Sequence, residues 1–276
     1  MAARTQSISS RVVGEVIAGV LFAGVLAASG CGQAENLSEA SKQRPVTIRV
    51  LAASSLADVL PQLVAAFRRT DPAVRVEAST GPSSALVAQV DAGVDADLVI
   101  TADRDTALAA RPKGGPAPAE VATNVMVIGV PKGNPGNVRS LTDLGRTDLL
   151  VGWCAPQVPC GRYSRRIVDL AGVRPAVDTE EPDAKSLVAK IAAGDLDAGL
   201  VYRTDVRANS PEVRAIAIPQ AASVPVRYFA VDLHGGRRAS EGRRSPEGRR
   251  AAADAFTAFM LAGGRPIFTA AGFGAP

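Results

Sequence analysis

Histidine is nearly missing from this chain: of its 276 residues, only His234 carries an imidazole. With just three cysteines beside it, neither metal catalysis nor a zinc site has enough ligands. Aromatic residues are equally scarce, at 4%, too few for platforms on which bases could stack. The formal charge is a modest +4, and one unit of it belongs to the first thirty residues, where Arg4 and Arg11 outweigh Glu15. Lysine and arginine are otherwise scattered until the chain nears its C-terminal end. Nucleic-acid binding is excluded on both counts. The apolar run at residues 16–28 is 13 residues long, too short to span a bilayer.

That run fits an export signal instead. Arg4 and Arg11 precede it, and it ends in Ala28-Ser29-Gly30-Cys31, small residues before a cysteine, which resembles a bacterial lipobox with Ala28 where Leu is usual. On this reading residues 1–30 are a lipoprotein signal peptide. Cys31 becomes a lipidated N-terminus, and residues 31–45 are a polar, flexible tether. The plainer alternative is a signal cleaved elsewhere. The other cysteines, Cys154 and Cys160, frame CAPQVPC. In an exported chain such a pair reads as a structural disulfide, since the spacing is not that of thiol oxidoreductases.

Residues 46–51 (VTIRVL) form a β-branched strand. The turn Ala52-Ala53-Ser54-Ser55 follows, then a helix with Leu56, Leu60, Leu63, Val64 and Phe67 on one face. Pro61 lacks an N–H and would clash with the Ala57 carbonyl, so this helix begins late or irregularly. Two serine hydroxyls and free backbone N–H groups at one helix start suit an anion, as well as an ordinary cap. The pattern repeats at residues 74–80, where Gly81-Pro82-Ser83-Ser84 opens a helix that stops at Gly93. Strands at 96–101 and 125–130 follow, with a helical stretch after Asp103 between them.

A second series begins with a strand at 149–153 and a helix over 161–171 that stops at Gly172. A short strand lies near Val177, and the next helix is capped by Asp183 and stopped by Gly194. Strands at 198–206, 213–219 and 224–233, an arginine-rich surface loop at 235–250 and a helix over 251–263 complete the chain. Such alternation argues for a parallel-rich α/β sheet. Two series with a late return predict two lobes around a cleft: 46–124 plus 228–276, and 125–227.

Four helix starts now carry a small or polar residue: Ser55, Ser83-Ser84, Cys160-Gly161 and Asp183. In AASSLADVL, GPSSALVAQVDAGVDADLVITAD, VPCGRY, GLVYRTD and the terminal GF, residues 46–276 resemble the molybdate-binding proteins of ABC importers. The stretch from Ala96-Asp97 to Asp103 is the most specific. The resemblance implies the α/β, two-lobed type II periplasmic-binding-protein fold, each lobe a mixed, mainly parallel sheet flanked by helices. It implies a binding protein with no catalytic residue and no cofactor, a monomer that delivers molybdate or tungstate to an ABC permease. Its place would be the outer face of the cytoplasmic membrane, held by the lipid on Cys31.

By the same resemblance the oxyanion is held without a cation. Ser55 and Ser83 offer hydroxyls and N–H groups, Cys160 and Asp183 a backbone N–H each, and Tyr202 its phenol. Donors alone favour a fully deprotonated dianion over a protonated phosphate. Two positions depart from the family: Cys160 stands where Ala is usual, and Asp183 where residues are apolar. A carboxylate beside a dianion is costly unless it turns away to cap its own helix through Lys185 or Ser186 N–H. A Cys154–Cys160 disulfide would stiffen the loop that presents the Cys160 N–H. Tyr202 also reads as a strand aromatic packed between lobes. Competing functions are a binding protein for another tetrahedral oxyanion such as sulfate, an enzyme with Ser54 or Ser55 as nucleophile, and a redox role for the cysteine pair. The enzyme lacks a base, since His234 sits by the arginine-rich stretch.

Overall fold

The computed structural model describes residues 45–234 and 248–276, all within one compact unit, Gln43–Pro276. The expected signal peptide, Cys31, the expected tether up to residue 44 and residues 235–247 of the arginine-rich stretch lie outside the described residues. Ten strands follow in chain order: β1 Val46–Ala53, β2 Val74–Gly81, β3 Leu98–Thr101, β4 Ala119–Asn124, β5 Met126–Pro131, β6 Val151–Cys154, β7 Thr179–Glu181, β8 Ala198–Tyr202, β9 Val213–Ile216 and β10 Val226–Asp232. They form two five-stranded sheets, ordered β2-β1-β3-β10-β4 and β7-β6-β8-β5-β9.

In each sheet one strand runs against the other four: β10 in the first, β5 in the second. Each reversed strand is the one by which the chain has just arrived from the other sheet. A chain that leaves one sheet at the edge facing its neighbour must enter the second heading away from that edge. The carboxyl ends of the remaining strands therefore point toward the gap between sheets. That is where ligands of such sheets bind.

Helices α1 Leu60–Thr70, α2 Ser83–Asp91, α3 Arg104–Ala110, α4 Pro159–Ala171, α5 Ala184–Ala193, α6 Arg203–Ala208, α7 Arg249–Leu261 and α8 Arg265–Ala270 flank the sheets. Pro61 sits in the first turn of α1, where a missing N–H costs nothing, and a 3₁₀ turn at Ser54–Leu56 precedes it. Leu60, Leu63 and Phe67 are buried on its inner face. Phe67 meets Phe256 and Phe259 of α7 at ring separations of 5.1 and 5.4 Å, tying the first series to the penultimate helix. Such pairs contribute about 0.5–1.5 kcal/mol each beyond their burial. Gly194 ends α5 in the left-handed region, at φ +80°, where a Cβ would be strained.

Several elements depart from the sequence reading, each for a local reason. Strand β4 went unrecognised because its AEVATN segment has little apolar content and lies at a sheet edge. Residues 203–206, expected as strand, open α6, since β8 ends at Tyr202. Glu180 and Glu181, expected in the approach to a helix, lie in β7, an edge strand that starts beyond Val177. Arg249 and Arg250, assigned to a loop, belong to α7, and α8 occupies what read as a tail. Strand β10 already pairs with β4 at Val226, two residues before the expected return at 228.

His234 lies far in sequence from the serine helix starts and is engaged elsewhere. Its Nε2 is 2.8 Å from Asp97 Oδ1 and its Nδ1 2.7 Å from Asp232 Oδ1. Arg249 donates to Asp97 at 2.7 Å, and Arg250 stands 3.6 Å from Asp232. Burial alone would lower the imidazole pKa, but the hydrogen bonds and charges of Asp232 and Asp97 outweigh it and raise the pKa to about 9. A raised folded-state pKa adds stability that is complete below about pH 6.5 and lost as pH rises through about 9. We expect His234→Gln to lower unfolding free energy by about 2 kcal/mol at pH ~6 and by little above pH ~9.5. Urea unfolding at the two pH values checks this; equal losses would contradict it.

Candidate functional site

Three strands and four helical starts converge on one small pocket between the sheets. The 3₁₀ turn after β1 brings Ser54 and Ser55, α2 brings Ser83 behind Pro82, α4 brings Pro159 and Cys160, and α5 brings Asp183 and Ala184. Tyr202 closes β8, and Ala102 follows β3. The structure thus places Ser55, Ser83, Cys160, Asp183 and Tyr202, drawn from both series, around the same space. Among the described residues, no lysine or arginine lines it.

The first backbone N–H groups of a helix lack an intrahelical acceptor, and together with the aligned peptide dipoles they favour negative charge. Neither α2, α4 nor the 3₁₀ turn has a side chain capping its start, so their donors face the pocket unclaimed by the protein's own side chains. In α5 the case differs. Asp183 Oδ1 accepts from Ser186 N–H at 2.8 Å, so its carboxylate is turned onto its own helix. Of the two capping partners considered from sequence, Ser186 is the one observed.

Hydrogen bonds also aim the serine protons. Ser55 Oγ accepts from the Tyr228 hydroxyl at 2.9 Å, and Ser83 Oγ accepts from Ala102 N–H at 3.2 Å. A hydroxyl whose lone pairs serve a protein donor has its single proton left to give. Tyr228 in turn accepts from Asn124 Nδ2 at 3.4 Å, and the same amide donates to Thr204 Oγ1 at 2.8 Å. Phe273, from the terminal GF, stacks edgewise on Tyr228 at 5.5 Å. Tyr228, Asn124 and Thr204 escaped the sequence reading, which saw Tyr228 only as part of a returning strand. Burial raises the Tyr202 and Tyr228 phenols far above their ordinary range, so both stay protonated donors at neutral pH.

Cys154 and Cys160 are joined by a disulfide with Cα atoms 5.8 Å apart, bridging the end of β6 to the start of α4. Gly161 completes that junction. A Cβ there would fall 2.0 Å from the Ala155 carbonyl oxygen and 2.7 Å from that of Cys154, so only glycine lets the helix start sit this close to the strand end. Behind Tyr202, Asp205 is 1% exposed, and its oxygens have no hydrogen-bond partner among the described residues. Lys185 Nζ stands 3.6 Å from Oδ1, near enough to attract but beyond a hydrogen bond. Burial pushes the Asp205 carboxyl up to about 7 against that attraction.

The one histidine is held by Asp97 and Asp232. What the pocket offers is a grip on a small anion, the design of a two-lobed solute-binding protein. The comparisons with known proteins agree. The chain belongs to the bacterial extracellular solute-binding proteins, whose family model matches residues 48–274. It is 35% identical to the molybdate-binding protein ModA of Mycobacterium tuberculosis over 221 residues, 78% of this chain and 83% of that one. Two solved structures share the fold at 19% identity. One is the periplasmic molybdate-binding protein of Azotobacter vinelandii (TM-score 0.67, covering 83% of this chain and 99% of that one). The other is the sulfate-binding protein SubI of Mycobacterium tuberculosis (TM-score 0.68, covering 83% and 86%).

The geometry of Asp183 predicts that Asp183→Ala lowers unfolding free energy by about 0.5–2 kcal/mol through the lost cap. Anion affinity should stay within a few-fold. Calorimetric titration and thermal unfolding of the variant check both; a large gain in affinity would mean that the carboxylate faces the anion.

Proposed function

We propose that this chain captures a molybdate or tungstate ion in the pocket between its sheets and delivers it to the permease of an ABC transporter. The observation that carries the reading is the meeting of four helical starts and four hydroxyls, those of Ser54, Ser55, Ser83 and Tyr202, around a pocket that no cationic side chain among the described residues lines. Each helix start favours an anion by about 0.3–1 kcal/mol, and more when partly buried. The identity shared with a molybdate-binding relative supports the choice of ion. Ser55 and Ser83 give hydroxyl and N–H donors, Cys160 and Asp183 give backbone N–H groups, and Tyr202 gives its phenol. The two lobes, 46–124 with 228–276 and 125–227, hold the ion between them. Lipidated Cys31 and the tether of residues 31–45 keep the protein, a monomer, on the outer face of the cytoplasmic membrane.

Thermal unfolding of the full-length chain with molybdate, tungstate, sulfate and phosphate at matched ionic strength tests the reading. A ligand at 100 times its Kd adds about 2.7 kcal/mol of stability. Molybdate and tungstate should raise the midpoint, and phosphate should not. A shift with sulfate alone would replace the substrate; no shift with any of the four would overturn the reading. Tyr202→Phe removes one donor to a charged ligand and should weaken molybdate binding by about 10–150-fold. The melting temperature without ligand should change little.

A further inference from the structure

Among the described residues, two ion pairs span the gap between the sheets, and both have the same polarity. Lys185, in the first turn of α5, pairs with Asp58, which lies just before α1. Arg162, in α4, donates to Asp103, the N-cap of α3, through Nε at 2.9 Å and also through Nη2. In each pair the cation belongs to the second series and the carboxylate to the first. Each of the four also lies within three residues of a pocket-lining position: Asp58 follows Ser55, Asp103 follows Ala102, Arg162 follows Cys160, and Lys185 follows Ala184.

We propose that Lys185 and Arg162 are positioning residues of a self-neutralising clasp. With the lobes apart they draw the dianion onto lobe 2 first, and as the lobes meet they are taken over by Asp58 and Asp103. The proposal rests on the oxyanion reading above. It explains how a pocket without a cation can attract a dianion and yet hold it by neutral donors alone. A charge facing the bound ion would favour any anion; one that is paired on closure leaves shape and donor placement to select. Asp205 adds a second tie. Buried beside Lys185 Nζ at 3.6 Å, it keeps the ammonium on lobe 2 when Asp58 withdraws. Lys185 remains a quarter exposed, within reach of an incoming ion.

Stopped-flow binding of molybdate to the full-length chain, followed by intrinsic fluorescence, separates capture from release. Lys185→Gln combined with Arg162→Gln should lower kon by about tenfold at low ionic strength, with the difference vanishing at high salt. Lys185→Arg and Arg162→Lys, which keep the charges, should retain the on-rate and control for any loss of packing. Asp58→Asn should leave kon unreduced and raise koff by about two- to fivefold, the range for an exposed ion pair. A double Gln variant with wild-type kon and salt dependence would overturn the proposal. If the wild-type chain gave no signal with molybdate, the oxyanion reading itself would fall, and the clasp with it.

Discussion

The structure turns on one constraint of the peptide backbone. The first N–H groups of a helix have no acceptor within it, and burying a donor without a partner costs about 1–3 kcal/mol. Here four helical starts are gathered at a single pocket, and three of them lack a side-chain cap. A fold could hide such a liability only by supplying an acceptor. An anion with several oxygens is the natural one, because it answers several donors at once. On the proposed reading the concentration of donors, answered by water in the empty protein, is the source of affinity in the filled one.

Much of the remaining architecture holds those starts in place. The reversed strands β5 and β10 let the chain cross twice while keeping the other strands aimed at the gap. Gly161 and the Cys154–Cys160 disulfide press the start of α4 against the end of β6. The chain of contacts from Thr204 through Asn124 and Tyr228 to Ser55 runs from one sheet to the other and orients a serine proton on the way. Asp183 resolves the most awkward feature of the sequence, a carboxylate at an anion site, by serving its own helix.

What could be read in advance was whatever local sequence encodes. A strand, a small-residue turn and a small or polar residue at a helix start are contiguous, so Ser55, Ser83, Cys160 and Asp183 could be picked out before their convergence was visible; Tyr202 came from the family resemblance alone. Asn124, Thr204 and Tyr228 could not, because their partners lie 80 to 173 residues away and no spacing announces them. The interlobe pairs of Lys185 with Asp58 and Arg162 with Asp103 share that limit. Strand β4 and helix α6 were missed for another reason. One is a polar edge strand, and the other begins where an apolar strand simply stops.

Proton exchange on binding tests the central claim most directly, that neutral donors hold a dianion. Calorimetric titration of the full-length chain with molybdate at pH ~8, repeated in buffers of different ionisation enthalpy, gives the number of protons taken up or released. Donors that keep their own protons, gripping an ion already deprotonated, predict no net exchange and one enthalpy in every buffer. Uptake of about one proton per ion bound would contradict the account, because it would show that the site needs an acidic ligand or a group that becomes charged beside it.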